Sequence, residues 1–260
     1  MARESFAYPT TGKLLDLLDE TARRSGVSRS QAFEDFLQMS VCALSGGVME
    51  DEYLAVVSKH SAGKEGSRGC DSLVHMLGEL VGQMEDTRGE MKDVLGDLFQ
   101  GAITYGEAGQ FLTPEPVARM MAKLTTADFV PEEGKSPSVC DPCCGSGRML
   151  MAVAEEHRDW EFVGQDIDLR CVRMTALNLA FRNLYGYVIH GNSLAMEQRC
   201  VYRTGFNGRG FVRPIAIEAC PAPVQQAVSQ LSEPSSLARS LAQTSTEDAA
   251  PRPTNQLHLF

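Results

Sequence analysis

The stretch Ser138-Val139-Cys140-Asp141-Pro142-Cys143-Cys144-Gly145-Ser146-Gly147 decides the fold. A short strand-like run at 138–140 enters a turn with two glycines, and a helical run follows at 148–157. Glycines at such a turn let the backbone approach a ligand closely, and the following helix directs its amide N–H groups toward it. Strand, turn and helix in this order predict the first unit of a ligand-binding α/β sheet.

Two more strand patterns follow the glycine-rich turn. They lie at 161–164 and 187–190, and a long helical run ending near Leu184 separates them. Strands that alternate with helices predict a doubly wound, Rossmann-like α/β sheet with parallel strands. Because only three or four strands can be found, the sheet is expected to be truncated, with an edge that a partner or a second copy covers.

The first 100 residues have helical periodicity and little strand signal, which predicts a helical N-terminal domain at 1–100 beside an α/β domain at 101–212. Ser28 can cap a second helix, and a helix is also expected at 114–124, before the first strand. The expected core residues of the helical domain are Leu14, Leu15, Leu17, Leu18, Phe33, Phe36, Leu37, Val41, Leu73, Leu77, Leu80, Val81 and Met84.

Composition narrows the class of protein. A net charge of −10 argues against unaided binding to the DNA backbone, because nonspecific affinity comes from Lys and Arg. No apolar run approaches the ~20 residues of a membrane span, and residues 1–8 lack the apolar stretch of a signal peptide, so a cytoplasmic protein is expected. The 8 cysteines have irregular spacing, and Cys140 and Cys143 form a zinc half-motif with no second pair, so free thiols and no metal are expected.

Two polar residues follow the later strands. Asp166 stands at the end of the second strand, where a carboxylate can accept both hydroxyls of a ribose. Asn192, just past the third strand, can present its side-chain oxygen to an adenine amino group or serve as a turn residue. A Gly-x-Gly turn alone is a weak signal, but these neighbours favour a nucleoside site.

Four motifs in order resemble the DNA adenine methylases, in particular the methylation subunits of type I restriction-modification systems. They are Gly109-Gln110-Phe111-Leu112-Thr113-Pro114, the turn from Asp141 to Gly147, Gly164-Gln165-Asp166, and Gly191-Asn192-Ser193-Leu194. The resemblance covers about residues 100–200. It implies an S-adenosylmethionine-dependent methyltransferase fold with S-adenosylmethionine as cofactor.

The resemblance also implies roles for single residues. Thr113 would hold the carboxylate or amine of the cofactor, Asp141 and Gly145 would line its methionine part, Asp166 would bind ribose and Asn192 adenine. Other interpretations are a helix N-cap for Thr113 and solvated strand-end carboxylates for the two aspartates. The expected cofactor-binding residues are Gln110, Phe111, Thr113, Asp141, Pro142, Cys144, Gly145, Ser146, Gly147, Asp166, Ile167 and Asn192.

One motif of the family is missing from this sequence. Its members carry an Asn-Pro-Pro or Asp-Pro-Pro segment followed by Tyr or Phe, which holds the flipped adenine, and no Pro-Pro pair occurs here. Asn207, between aromatic residues, is a weak substitute beside the simpler interpretation as a glycine-rich turn. Catalytic residues are therefore unknown, and a partner subunit is expected to provide DNA contact.

Residues 213–260 are rich in Ala, Gln, Ser and Pro and predict a flexible tail with one transient helix at 224–231. The sequence ends in Gln256-Leu257-His258-Leu259-Phe260, which resembles the peptide that docks bacterial replication and repair proteins on the β sliding clamp. Gln256, Leu257, Leu259 and Phe260 are the expected partner-binding residues. An unremarkable apolar terminus is the other interpretation.

The sequence thus supports a site-specific DNA adenine N6-methyltransferase in a restriction-modification or mobile-element context. A second hypothesis is a catalytically inactive module that binds the cofactor, docks on the sliding clamp and modulates replication or restriction. A methyltransferase acting on RNA or a small molecule is the third.

Overall fold

The computed structural model describes residues 6–84, 91–104, 110–130, 136–206, 209–220 and 256–258. Asn207, the helix expected at 224–231, and the last two residues of the terminal peptide, Leu259 and Phe260, lie outside these ranges. Within the described ranges, no helix is long and apolar enough to cross a membrane.

Four helices form the N-terminal part: α1 (Thr11–Ser25), α2 (Arg29–Ala43), α3 (Glu50–Lys59) and α4 (Gly69–Gln83). Gly26 ends α1 in a left-handed conformation with φ 67°, which a residue without a Cβ adopts at little cost. Ser28 caps α2 by accepting a hydrogen bond from the Gln31 amide at 3.1 Å, as the sequence predicted.

The expected apolar stripes form most of the helical core. Leu14, Phe33, Phe36 and Leu73 are fully buried, whereas Val81, also expected in the core, is 47% exposed. The helical period of α4 places Val81 on the solvent side of that helix, so its assignment to the core was wrong.

A short helix, α5 (Val94–Leu98), continues directly into a π-helical turn (Phe99–Thr104), and α6 (Glu115–Thr126) follows. The position before α6 is Pro114, with no side-chain cap, so Thr113 is not the N-cap of this helix. One continuous apolar cluster joins the helical part to the α/β part, with Phe33 and Phe99 stacked 5.8 Å apart.

Three parallel strands confirm the βαβαβ pattern expected from the sequence. β1 (Ser138–Asp141), β2 (Glu161–Asp166) and β3 (Gly186–His190) lie side by side, with β2 in the middle. The connecting helices are α7 (Arg148–Ala154) and α8 (Leu169–Phe181). The C-terminal ends of parallel strands lie at the same end of the sheet, so the turns after Asp141 and Asp166 are neighbours.

An antiparallel hairpin follows β3. β4 (Cys200–Phe206) pairs with β3, and β5 (Arg209–Ile215) pairs with β4. The sequence predicted only a glycine-rich turn here and a tail from residue 213, whereas β5 extends to Ile215. β4 is irregular at Gly205, where φ is 57° and the register of pairing with β5 shifts, and this irregularity weakens the strand pattern in the sequence.

A sixth strand closes the other side of the sheet. β6 (Gln256–His258) pairs in parallel with β1, giving the order β5-β4-β3-β2-β1-β6. The structure therefore differs from the expected flexible tail at these three residues. β6 is three residues long and covers the side of β1 that faces away from β2. In a doubly wound sheet, this is the position at which the order of the strands reverses.

Candidate cofactor site

The turn after β1 takes its shape from two glycines. Gly145 and Gly147 have φ values of 55° and 83°, which other residues adopt only with strain. A Cβ on Gly145 would lie 2.8 Å from a methyl carbon of Leu112, and one on Gly147 would lie 3.0 Å from Thr175. The turn therefore fits tightly between the segment before α6 and helix α8.

Asp166 fastens this turn to the end of β2. Its Oδ2 accepts a hydrogen bond from the Gly145 amide and its Oδ1 accepts one from the Asp168 amide, both at 2.9 Å. The Cys144 amide also donates to the Gln165 carbonyl, at 2.9 Å. A carboxylate has about four acceptor positions, so Asp166 keeps capacity to accept from a ligand hydroxyl.

A cavity of about 310 Å³ opens at these strand ends. This volume lies at the lower end of the range for small-molecule sites, about 300–1,000 Å³. Its lining residues come from four parts of the chain: Phe99; Gln110, Phe111, Leu112 and Thr113; Asp141, Cys143, Cys144, Gly145, Ser146, Arg148 and Met149; and Asp166, Ile167 and Cys171.

Two carboxylates give the cavity its electrostatic character. Asp141 is only 1% exposed, and burial, reinforced by the charge of Asp166, raises its pKa to about 7. Burial likewise raises the pKa of Asp166, although amide hydrogen bonds act in the opposite direction. A positively charged ligand would favour the ionised form of both groups.

The cavity also contains thiols, which stay neutral. Burial raises the pKa of Cys144 well above its usual value, and the same cause raises the pKa of Cys143 and of Cys171. Since the thiolate is the nucleophile and the metal ligand, the buried Cys144 and Cys171 serve as apolar packing, whereas Cys143 is exposed. Within the described ranges, no group of three or more His, Cys, Asp or Glu residues is arranged to hold a metal.

Helix α7 begins with Arg148, whose side chain forms hydrogen bonds with two separate segments of the chain. Arg148 donates from Nε to Asp93 Oδ2 at 2.9 Å and from Nη1 to the Thr113 carbonyl at 2.7 Å. Ser146 also donates from its hydroxyl to Asp93, whose side chain is fully buried. The glycine-rich turn is thus fixed to the chain before α5 by a buried ionic network.

The structure brings together nine of the twelve expected cofactor-binding residues: Gln110, Phe111, Thr113, Asp141, Cys144, Gly145, Ser146, Asp166 and Ile167. Pro142 and Gly147 shape the turn without lining the cavity, and Asn192 does not line it either. The Asn192 side-chain oxygen accepts hydrogen bonds from the amides of Leu194 at 3.0 Å and Ala195 at 3.2 Å. This contact matches the alternative interpretation of Asn192 as a turn residue.

The sequence analysis did not identify all residues that line the cavity. Phe99 lies in the π-helical turn, and Arg148 lies one position beyond the quoted motif. Arg148 directly follows Gly147, so its place at the start of a helix facing the turn was a usable signal. Phe99 gives no such signal, because only folding brings it to the strand ends.

The residues present fit a sulfonium nucleoside with an amino acid end. Gly145 brings the backbone of the turn into the cavity lining, Asp166 offers acceptors for ribose hydroxyls, and Phe111 and Ile167 offer apolar surface for a base. Asp141 offers negative charge toward cationic groups. The donors, acceptors and volume are therefore compatible with S-adenosylmethionine.

Comparison with known proteins agrees with this geometry. The family model described as N-6 DNA Methylase matches residues 90–204, a range that contains every cavity residue named above. Residues 90–204 belong to the N-6 DNA methylase family. This confirms the resemblance to the DNA adenine methylases found in the motifs, and S-adenosylmethionine is the expected cofactor of that family.

A curated relative of this methylase segment is Type II methyltransferase M.MamI from Microbacterium ammoniaphilum. It is 34% identical over 115 residues, which cover 36% of this chain and 31% of that protein. The chain thus spans about a third of the length of the curated relative it matches.

Two solved structures are similar to this chain. A type I restriction-modification system methyltransferase subunit from Streptococcus thermophilus has a TM-score of 0.41 and 14% identity, covering 73% of this chain and 59% of that chain. A class I S-adenosylmethionine-dependent methyltransferase from Listeria monocytogenes has a TM-score of 0.37 and 16% identity, covering 70% and 53%. The methylase segment itself has the α/β, Rossmann-like methyltransferase fold, given by its three parallel strands, glycine-rich turn and two crossover helices.

Proposed function

We propose that this cytoplasmic protein binds S-adenosylmethionine at residues 90–204 and serves site-specific methylation of adenine N6 in DNA within a restriction-modification system. The observation that carries the proposal is the cavity at the strand ends, which combines a glycine-rich turn with Asp141 and Asp166. The family of residues 90–204 supplies the type of reaction.

When bound, the cofactor would supply an electrophilic methyl group on a sulfonium, for transfer to the adenine nitrogen in exchange for a proton. The chain's own residues bind and orient. Asp166 accepts hydrogen bonds from ribose, and the ionised form of Asp141 attracts the positive charges. Phe111, 74% exposed, and Ile167, 57% exposed, can exclude water from the nucleoside once it covers them.

We assign the binding of the DNA base that accepts the methyl group to a partner subunit. The sequence has no Pro-Pro pair, and an antiparallel hairpin follows β3. Extruding a base from DNA costs a few kcal/mol that contacts to the base must offset. A net charge of −10 also favours a partner that contacts the DNA backbone.

A methylation assay tests this proposal. The purified chain is incubated with radiolabelled S-adenosylmethionine and mixed-sequence DNA, alone and with cell extract of the source organism. Label in the N6 position of adenine, lost with Asp166→Ala and kept with Glu161→Ala at the opposite end of β2, is the expected result. No incorporation under either condition would contradict the assignment to DNA methylation.

A second proposal concerns the terminal peptide and the inactive-module hypothesis. Residues 256–258 have an extended backbone, the form in which a short peptide docks in a groove, but they pair with β1. Docking on the β sliding clamp therefore requires release of β6. Pull-down by the clamp should be lost on deletion of residues 256–260 and kept with His258→Ala, the position outside the motif, whereas capture of the deleted chain would contradict this proposal.

A further inference from the structure

The cavity has one cationic side chain among the described residues that line it. Asp141 and Asp166 are the charged groups at the ends of β1 and β2, and Arg148 is the cation. A ligand that presents both positive and negative groups can satisfy all three side chains together. A purely cationic ligand would leave Arg148 facing like charge.

Arg148 is held in place before any ligand arrives. Its side chain is only 12% exposed, and its Nη2 lies 2.9 Å from Asp93 Oδ2 in addition to the Nε contact with the same oxygen. With the bond from Nη1 to the Thr113 carbonyl, three of five N–H groups have partners. The remaining donors belong to the two terminal nitrogens, one on each, and Arg148 is one of the residues that line the cavity.

Asp93 is in turn fixed by contacts from three elements. Its Oδ1 accepts from the Gly96 amide at 2.9 Å and from Asn178 Nδ2 at 3.0 Å, and its Oδ2 accepts from the Ser146 hydroxyl. A Cβ on Gly96 would lie 2.0 Å from this carboxylate, so the backbone packs directly against it. A guanidinium fixed in this way loses little further side-chain entropy on binding an anion.

We propose that Arg148 binds the carboxylate at the methionine end of the cofactor, with Asp93 as the positioning residue that orients the guanidinium. The inference rests on the proposed function, because it needs S-adenosylmethionine as the ligand. It adds a residue outside the expected binding set and gives the helical part of the chain a role in recognising the cofactor.

Calorimetric titration with two ligands tests the assignment. S-adenosylmethionine and its decarboxylated analogue differ at the carboxylate, so the ratio of their Kd values reports contact to that group. The wild-type chain should bind the intact cofactor about 10- to 100-fold more tightly than the analogue. Arg148→Met should bring the ratio to about one, because only the intact cofactor presents the carboxylate that the guanidinium contacts.

Two further variants separate recognition from folding. Arg148→Lys keeps the charge without the planar fork and should give an intermediate ratio. Arg119→Met, an arginine of α6 that pairs with Glu155 and does not line the cavity, should keep the wild-type ratio. Since each ratio is measured within one variant, a loss of overall stability does not imitate the effect.

The outcomes distinguish this inference from the proposed function. A wild-type ratio that persists in Arg148→Met would overturn the role of Arg148 and leave cofactor binding intact. Failure of the wild type to bind either ligand at millimolar concentration would overturn both.

Discussion

The two walls of the cavity are built in different ways. The strand-end wall, defined as residues 141–147 and Asp166, comes from two neighbouring parallel strands and their turns, with Pro142 and Gly147 behind the cavity surface. The helical wall, defined as Phe99, Thr113 and Arg148 at the cavity surface and the buried Asp93 behind them, is joined by contacts between residues up to 55 positions apart, as between Asp93 and Arg148. The first wall depends on local backbone geometry, and the second depends on one buried ionic network.

The largest expected effect comes from breaking the helical wall. Asp93→Ala removes a buried carboxylate and leaves Arg148, Ser146 and Asn178 without their acceptor, which should lower the free energy of unfolding by about 3–5 kcal/mol. Urea unfolding measures the change.

A carboxylate in a surface ion pair provides the control for Asp93. Asp19, 45% exposed and 2.6 Å from Arg29, should cost less than about 1 kcal/mol when replaced by Ala. Equal losses for Asp19→Ala and Asp93→Ala would show that the buried network does not hold the helical wall.

A smaller effect is expected from the strand-end wall. Gly147→Ala places a Cβ at φ 83° and 3.0 Å from Thr175, so unfolding free energy should fall by about 1–2 kcal/mol. Gly78→Ala, in the exposed interior of α4 with open space around it, should be neutral or stabilising by up to about 1 kcal/mol. If both glycines respond alike in thermal or urea unfolding, the turn is not under the constraint inferred here.

The two walls also differ in how readily the sequence reveals them. Asp141, Gly145 and Asp166 could be assigned because each stands at a fixed offset from a strand end, and parallel strands bring such ends together. Phe99 and Asp93 lie in a segment with no motif of its own, and only tertiary packing brings them to the turn. Asn192 could not be decided, because a side-chain oxygen that suits adenine equally suits the amides of its own turn.

The sheet was predicted in its centre and missed at both edges for related reasons. β1, β2 and β3 are separated by helices, and the sequence pattern of each clearly predicts a strand, whereas β4 contains the irregularity at Gly205. β6 is three residues long, and a pattern so short is compatible with any extended or irregular segment.

The electrostatics of the strand-end wall predict a pH dependence. Because the pKa of Asp141 is raised to about 7, the folded chain holds a proton that the unfolded chain releases near pH 4, so the stability of the free protein should fall as pH rises between these values. Affinity for the positively charged cofactor should instead rise with pH, by roughly tenfold between pH 6 and pH 8, because the ionised form of Asp141 attracts positive charge.

Calorimetry at several pH values checks this prediction through the uptake or release of protons. Asp141→Asn should flatten the dependence on pH of both stability and affinity. An unchanged profile in that variant would assign the titration to another group.

The smallest expected effect lies at the edge of the strand-end wall. Deletion of residues 256–260 removes β6, one of the two strands that pair with β1. The free energy of unfolding should fall by less than about 1 kcal/mol, since this pairing spans three residues. Amide hydrogen exchange within Ser138–Asp141 should become faster, while exchange within β3 should not change. Protection of β1 that survives the deletion would show that β6 does not cover this edge in solution.

Titration calorimetry of S-adenosylmethionine with the wild type, Asp166→Ala and Glu161→Ala shows whether the strand-end cavity is the cofactor site. We predict that the wild type and Glu161→Ala bind with equal affinity and one site, and that Asp166→Ala binds about 10- to 100-fold more weakly because the ribose hydroxyls lose a charged acceptor. Equal affinity in all three proteins, or no binding by the wild type at millimolar cofactor, would contradict the assignment of the strand-end cavity as the cofactor site.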